Sequence, residues 1–164
     1  MAHFTLSSSA FSSQGPIPAR YTCEGKNVSP PLTWTGAPAS TRSFALIVED
    51  PDAPDPANPK TVWVHWILYN IPAEVESLPE NLEKLPPGVG VGVNDWHKKS
   101  YGGPCPPIGR HRYFHRLFAL DRVLPDLKAP NKATLEKVMQ GHILAEAQLI
   151  GTFAAEDRLH APPP

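Results

Sequence analysis

The chain has 164 residues and a net charge of -1. That length buries a full core without metal or disulfide staples, and the near-neutral charge argues against bulk nucleic-acid or polyanionic-membrane binding. Proline is the outlier, at 21 residues against a usual ~5%; prolines break helices and central strands, so the composition predicts short strands joined by many turns. In chain order, residues 4–6 read as a short strand, followed by a Ser-rich stretch. The Ser29-Pro30-Pro31 run is extended and leads into a strand at 32–34. Two apolar runs follow, at 44–48 and 62–70. Both are rich in Val, Ile, Leu and aromatics, the signature of buried strands. Between them, residues 50–60 hold four prolines and read as a loop.

Residues 74–78 read as one helical turn. The Gly88-Val89-Gly90-Val91-Gly92-Val93 run lacks the helix and acidic residue of a dinucleotide loop and reads as a glycine-bearing strand. Residues 100–107 form a stiff Gly/Pro loop, and a strand of β-favouring residues follows from 110 to 120. Leu135, Val138 and Met139 repeat at helical spacing. This predicts a short amphipathic helix with Thr134 as N-cap and Gly141 as its stop. A last strand covers 145–153. About eight strands and one clear helix predict a mainly β fold, an antiparallel Greek-key β-sandwich with one or two short helices. Residues 1–153 form one domain, and 154–164 form a Pro-rich tail.

The N-terminus shows no basic region followed by an apolar run, and no stretch approaches the ~20 apolar residues of a membrane span. The expectation is a cytoplasmic protein without an integral membrane segment. Cys23 and Cys105 form no CxxC and have no zinc-finger partners. In that compartment they read as reduced thiols, with a disulfide between the two loops left open.

Period 2 places Trp63, His65, Ile67 and Tyr69 on one face of their strand, and His111, Tyr113 and His115 on one face of theirs. Asp50 and Asp52 share a parity at the end of the preceding strand. Two carboxylates, two histidines and a Gly-Pro-Cys-Pro-Pro loop can therefore converge at one end of a sandwich. His97, Lys98 and Lys99 read as an exposed loop.

Three motifs carry a resemblance. They are Asp50-Pro51-Asp52-Ala53-Pro54 with Trp63-Val64-His65-Trp66, Gly103-Pro104-Cys105-Pro106-Pro107, and Gly109-Arg110-His111-Arg112-Tyr113. Together with Tyr21-Thr22-Cys23-Glu24-Gly25 and Gly141-His142-Ile143-Leu144, they make the chain closely similar to the phosphatidylethanolamine-binding proteins, also called Raf kinase inhibitor-like proteins. The match is to their bacterial and archaeal YbhB/YbcL-type branch. The resemblance implies a sandwich with a small anion pocket lined by Asp50, Trp63, His65, Gly103, Pro104, His111 and Tyr113, with Asp52, Arg112 and Cys105 as structural neighbours. It implies a small anionic or zwitterionic phosphate ligand such as phosphorylethanolamine, no cofactor, and a protein kinase or protease as partner. Animal members have a second histidine where Val64 stands, and a C-terminal helix beside the pocket. The Pro-rich end of this chain suits no such helix, which implies an open mouth or one covered in a homodimer.

Two other readings use the same residues. One is a hydrolase with His65 as base, Asp50 orienting it and Cys105 as the candidate nucleophile. The other is a metal-dependent enzyme with Asp50, His65 and His111 as ligands. If His65 and His111 both donate to an anion, affinity rises as pH falls through roughly 6.5.

Overall fold

A computed structural model describes residues 3–154; the tail expected over 154–164 lies outside these except for Ala154. Among the described residues, eight strands form two antiparallel sheets. The smaller contains β1 (Thr5–Ser7), β2 (Leu32–Thr35) and β5 (Ser77–Leu78), in the order β1-β2-β5. The larger contains β3 (Ser43–Ala53), β4 (Thr61–Pro72), β6 (Gly90–Val91), β7 (Arg110–Leu120) and β8 (Ile143–Ala154), in the order β6-β4-β3-β7-β8. The β-sandwich expected from the strand pattern is thus the observed architecture. No helix among the described residues is long and apolar enough to cross a membrane.

The core lies between the sheets. Leu6, Leu32, Trp34 and Leu78 of the small sheet meet Phe44, Leu46, Val48, Trp66, Leu68, Leu117 and Ala119 of the large one. The outer face of the large sheet is covered by the helix α1 (Lys132–Met139), through Leu135 and Met139 on Ala45, Ile47, Ile67 and Phe118. Both faces of β3 are therefore buried, which is why its sequence is a continuous apolar run rather than an alternating one. Glu49 on that outer face accepts from Arg116 Nη1 at 3.0 Å and from Lys132 Nζ at 2.8 Å, tying α1 to the sheet.

Several local expectations change. The helical turn expected at 74–78 is a turn at Pro72–Val75 followed by β5, because Ser77 and Leu78 pair with β2. The helix starts two residues before Thr134. Asn131 is its N-cap, its side chain accepting from Thr134 N at 2.8 Å, and Gly141 follows at φ +83. The loop expected from Asp50 begins four residues later, at Pro54, since β3 runs to Ala53. Cys23 and Cys105 are joined in a disulfide with Cα atoms 5.5 Å apart, so the reduced-thiol reading does not hold. The fold brings two distant loops together, which sequence spacing cannot report.

Irregular pairing shapes one end of the large sheet. Val48 faces Trp66 while Glu49 faces Val64, leaving His65 as an extra residue in β4. Such a bulge puts two successive side chains on one side of the sheet and reverses the alternation beyond it. Trp66 and Leu68 face the inter-sheet core, whereas Ile67 and Tyr69 lie under α1. The single face predicted for Trp63, His65, Ile67 and Tyr69 is therefore split at the bulge. A second irregularity lies between Asp50 and Ala53, where β3 carries the extra residue.

Candidate ligand pocket

At the bulged end, the β3–β7 ladder stops at Glu49–Phe114. Side chains bridge the gap beyond it. Asp50 Oδ2 lies 2.5 Å from His111 Nδ1, and its Oδ1 accepts from Asp52 N at 2.7 Å. Asp52 turns instead to Arg112, accepting from its backbone N at 2.9 Å, from Nε at 3.0 Å and from Nη2 at 2.9 Å. The second bulge separates the two carboxylates, although they share a parity in sequence.

A cavity of about 250 Å³ opens here, lined by Asp50, Ala53, Pro54, Trp63, His65, Trp96, Cys105, Pro106, Pro107, His111 and Tyr113. Five of the seven expected ligand residues are in this wall: Asp50, Trp63, His65, His111 and Tyr113. Gly103 and Pro104 are not. Gly103 N donates to Asn27 Oδ1 at 2.8 Å, and a Cβ at this position would lie 2.2 Å from the Tyr21 carbonyl oxygen. Its glycine serves close packing between loops. Pro104 lies behind the cavity, against a small void shared with Ile17, Tyr101 and His115. The disulfide, Cys23 N to Pro104 O at 3.1 Å and Tyr101 Oη to Tyr21 O at 2.7 Å hold the Gly-Pro-Cys-Pro-Pro loop against the segment around residues 19–27.

Trp96 was not anticipated. It sits in a loop with no periodicity, and its neighbours are polar. Asn94 Oδ1 accepts from Trp96 N at 2.9 Å and from Lys98 N at 3.1 Å, while Asp95 Oδ2 accepts from Val64 N at 2.6 Å. The loop is pinned to β4 and presents the indole edge-on to Trp63 and His65, with ring centroids 5.6 and 5.0 Å apart. The readable signal is Asn94-Asp95, in which Asn94 closes the turn through its side chain and Asp95 ties it to β4.

The polar groups differ in how committed they are. His111 Nε2 lies 2.9 Å from the Ile108 carbonyl, which only accepts, so Nε2 carries a proton. The remaining proton lies between Nδ1 and Asp50, and the pair has no net charge in either placement. Burial pushes the Asp50 carboxyl up, opposed by its hydrogen bond to His111. Asp52 is held below the usual carboxylate range by the Arg112 guanidinium. His65 Nδ1 donates to Gly102 O at 2.7 Å, which fixes the tautomer and leaves Nε2 as the uncommitted nitrogen on a ring that lines the cavity. Burial pushes this imidazole down to about 4. Tyr113, 1% exposed, has a hydroxyl with no hydrogen-bond partner among the described residues, and burial pushes its ionisation up.

Two expected arrangements do not form. Asp50 orients His111 rather than His65, and Cys105 is bonded to Cys23, so the hydrolase constellation is not assembled. Among the described residues, no three His, Cys, Asp or Glu side chains converge as a metal-ligand set.

The comparisons with known proteins agree with this architecture. The family description "Phosphatidylethanolamine-binding protein" matches residues 7–154. A UPF0098 protein from Methanothermobacter thermautotrophicus is 48% identical over 151 residues, covering 90% of this chain and 97% of its own. The crystal structure of a phosphatidylethanolamine-binding protein homolog from Chlamydia trachomatis superposes with a TM-score of 0.86 at 40% identity, covering 93% of this chain and 98% of that one. Escherichia coli YbcL, described as a member of the mammalian family, superposes at 0.84 with 32% identity, covering 93% and 99%. With the match spanning both sheets and every wall of the cavity, the chain belongs to the phosphatidylethanolamine-binding protein family.

Proposed function

We propose that this protein is a binding protein whose cavity holds a small anionic or zwitterionic phosphate head group of the phosphorylethanolamine kind. Occupancy is then read by a protein partner, a kinase or a protease. The observation that carries the reading is the cavity itself. It is small and walled by prolines and two indoles, and among the described residues its wall holds a Trp63 Nε1–H that is buried without a partner, together with the Tyr113 hydroxyl and His65 Nε2, which bond no other described group. Buried polar groups without partners are rare in folded proteins and mark places where a ligand completes the hydrogen bonding. The indole faces of Trp63 and Trp96 suit the ammonium end of a zwitterion.

The test is calorimetry with phosphorylethanolamine on the wild type and on Tyr113→Phe. The variant removes a hydroxyl that bonds no other described residue, so its melting temperature should hold while affinity falls about fivefold to tenfold, the worth of one hydrogen bond of ~1–1.5 kcal/mol. Absence of millimolar binding by the wild type, or an unaltered affinity in Tyr113→Phe, overturns the reading.

A further inference from the structure

The charge balance of the cavity is unusual for a phosphate site. Among the described residues, no Lys or Arg lines it. Asp50 and His111 neutralise one another, and both ring nitrogens of His111 are already bonded. His65 is locked by Gly102 O into the tautomer whose Nε2 presents a lone pair. A fully ionised oxyanion offers only acceptors. Placed against Nε2, it sets lone pair against lone pair and leaves both groups unsatisfied.

We infer that this pocket, on the head-group reading given above, selects phosphoryl groups that bring their own proton, namely phosphate monoesters and inorganic phosphate, over phosphodiesters and sulfate esters. The P–OH of a monoester monoanion donates to His65 Nε2, and its remaining oxygens accept from donors such as the Tyr113 hydroxyl. A phosphodiester, the form of an intact lipid head group, has no second ionisable proton, and a sulfate ester has none either. A site with a committed acceptor rejects the analogue lacking the matching donor, because its own buried group is left unpaired.

The groups facing His65 leave this balance intact. They are Tyr113, His115 and His111 from β7, Asp50 from β3, Tyr101, and Trp96 with the Gly102 and Gly103 carbonyls from the loops. His115 bonds to the Tyr113 and Leu149 carbonyls through Nδ1, and burial pushes it down to about 4. Among the described residues the charged candidates are then Asp50 and His111, which share one proton and balance each other.

The size of the discrimination follows from where the proton comes from. With a monoester it resides on a phosphoryl group of pKa about 6. With a diester or sulfate ester it must be placed on His65, which burial holds at about 4. The difference is on the order of 100-fold in affinity at pH 7. Above pH ~6 the free monoester has lost its second proton, so binding takes one proton from the medium.

Calorimetry at pH 7 with phosphorylethanolamine, inorganic phosphate, glycerophosphorylethanolamine and ethanolamine O-sulfate tests the inference. The first two separate the phosphoryl group from the ammonium end, and the third stands for a lipid source. Phosphorylethanolamine should bind at least tenfold tighter than the diester and the sulfate ester. At pH 8, buffers of different ionisation enthalpy should report uptake of one proton per monoester bound. His65→Gln, whose carboxamide can donate, should narrow the ratio to a few-fold at unchanged melting temperature. If that variant fails to fold, the wild-type ratio and proton count decide. A ratio below tenfold, or binding at pH 8 without proton uptake, overturns the inference while leaving the head-group reading standing. Binding of none of the four overturns both.

Discussion

His65 and His115 make the fold sensitive to mild acid. They are 3% and 2% exposed, and burial holds both at about 4. In the unfolded chain each protonates near 6.5. Between these values the unfolded state binds more protons than the folded state, so stability falls as pH falls through this window. From pH 7 to pH 5 the loss is about 2 kcal/mol per histidine, or about 4 kcal/mol for the pair. Asp52 and Glu146, both held low in the folded chain, add their losses only as pH falls below ordinary carboxylate values. Asp50, pushed up by burial, works in the opposite sense in this interval, so the difference between wild type and a histidine variant, not the wild-type slope alone, reads one histidine. His115→Gln keeps a donor for the Leu149 carbonyl and removes one titration. Urea unfolding at pH 7, 6 and 5 should show a wild-type loss of up to about 4 kcal/mol, offset in part by Asp50, and a loss about 2 kcal/mol smaller in His115→Gln. A wild type whose stability is level across this interval, or a variant falling as steeply as the wild type, refutes the assignment of buried neutral histidines.

Two further predictions concern the frame around the cavity. Replacing Cys23 and Cys105 together by Ser opens a cross-link between positions 82 residues apart; chain entropy sets a ceiling of about 4.5 kcal/mol, and ~2–4 kcal/mol is the expected loss in urea unfolding. A loss under ~1 kcal/mol would show that the hydrogen bonds of the Gly-Pro-Cys-Pro-Pro loop hold it unaided. Arg112→Met removes the guanidinium from Asp52 but leaves the backbone N–H bond. Because the Arg112 side chain is 52% exposed, water compensates in part, and the loss at pH 7 should be only about 1 kcal/mol. Asp52 is held low when folded, so its stabilisation is present above its unfolded pKa of ~3.8 and lost below it. The gap between wild type and variant should close on acidification below ~4, and a gap constant with pH would exclude the ion pair as its source.

The strands were legible because their apolar runs are long and double-sided. Phe44–Val48 needs no context to be read as buried, and the sandwich follows from several such segments separated by prolines, whereas the two-residue β5 at Ser77–Leu78 carries no such signal. The alternation on β4 misled because a bulge adds one residue without any mark in composition: His65 is preceded and followed by apolar residues on either register. Trp96 was illegible for the opposite reason, since its position depends on a turn closed by Asn94 and Asp95 rather than on a strand face. Gly103 and Pro104 were read as ligand groups from their motif, yet the motif there secures loop packing. The Cys23–Cys105 bond could not be seen from spacing, because it depends on a Cα distance set by the whole fold.

The bulges also sort the motif by task. Past Glu49–Phe114 the backbones of β3 and β7 no longer pair, and an open sheet end would expose unpaired donors and acceptors. Asp50 and Asp52 continue the ladder with carboxylates, reaching His111 and Arg112 across the gap that becomes the cavity. The residues that look most like ligand binders in sequence, the two aspartates and His111, are thereby consumed in building the wall. What remains for a ligand among the described residues is the extra residue of the bulge, His65, the hydroxyl of Tyr113 opposite it, their ring centroids 5.2 Å apart, and the buried Nε1–H of Trp63. A sandwich with straight strands would turn His65 toward the α1 face and pair the backbones that here stand apart. The irregularity that sequence periodicity misses is thus the feature that creates both the space and its uncommitted chemistry.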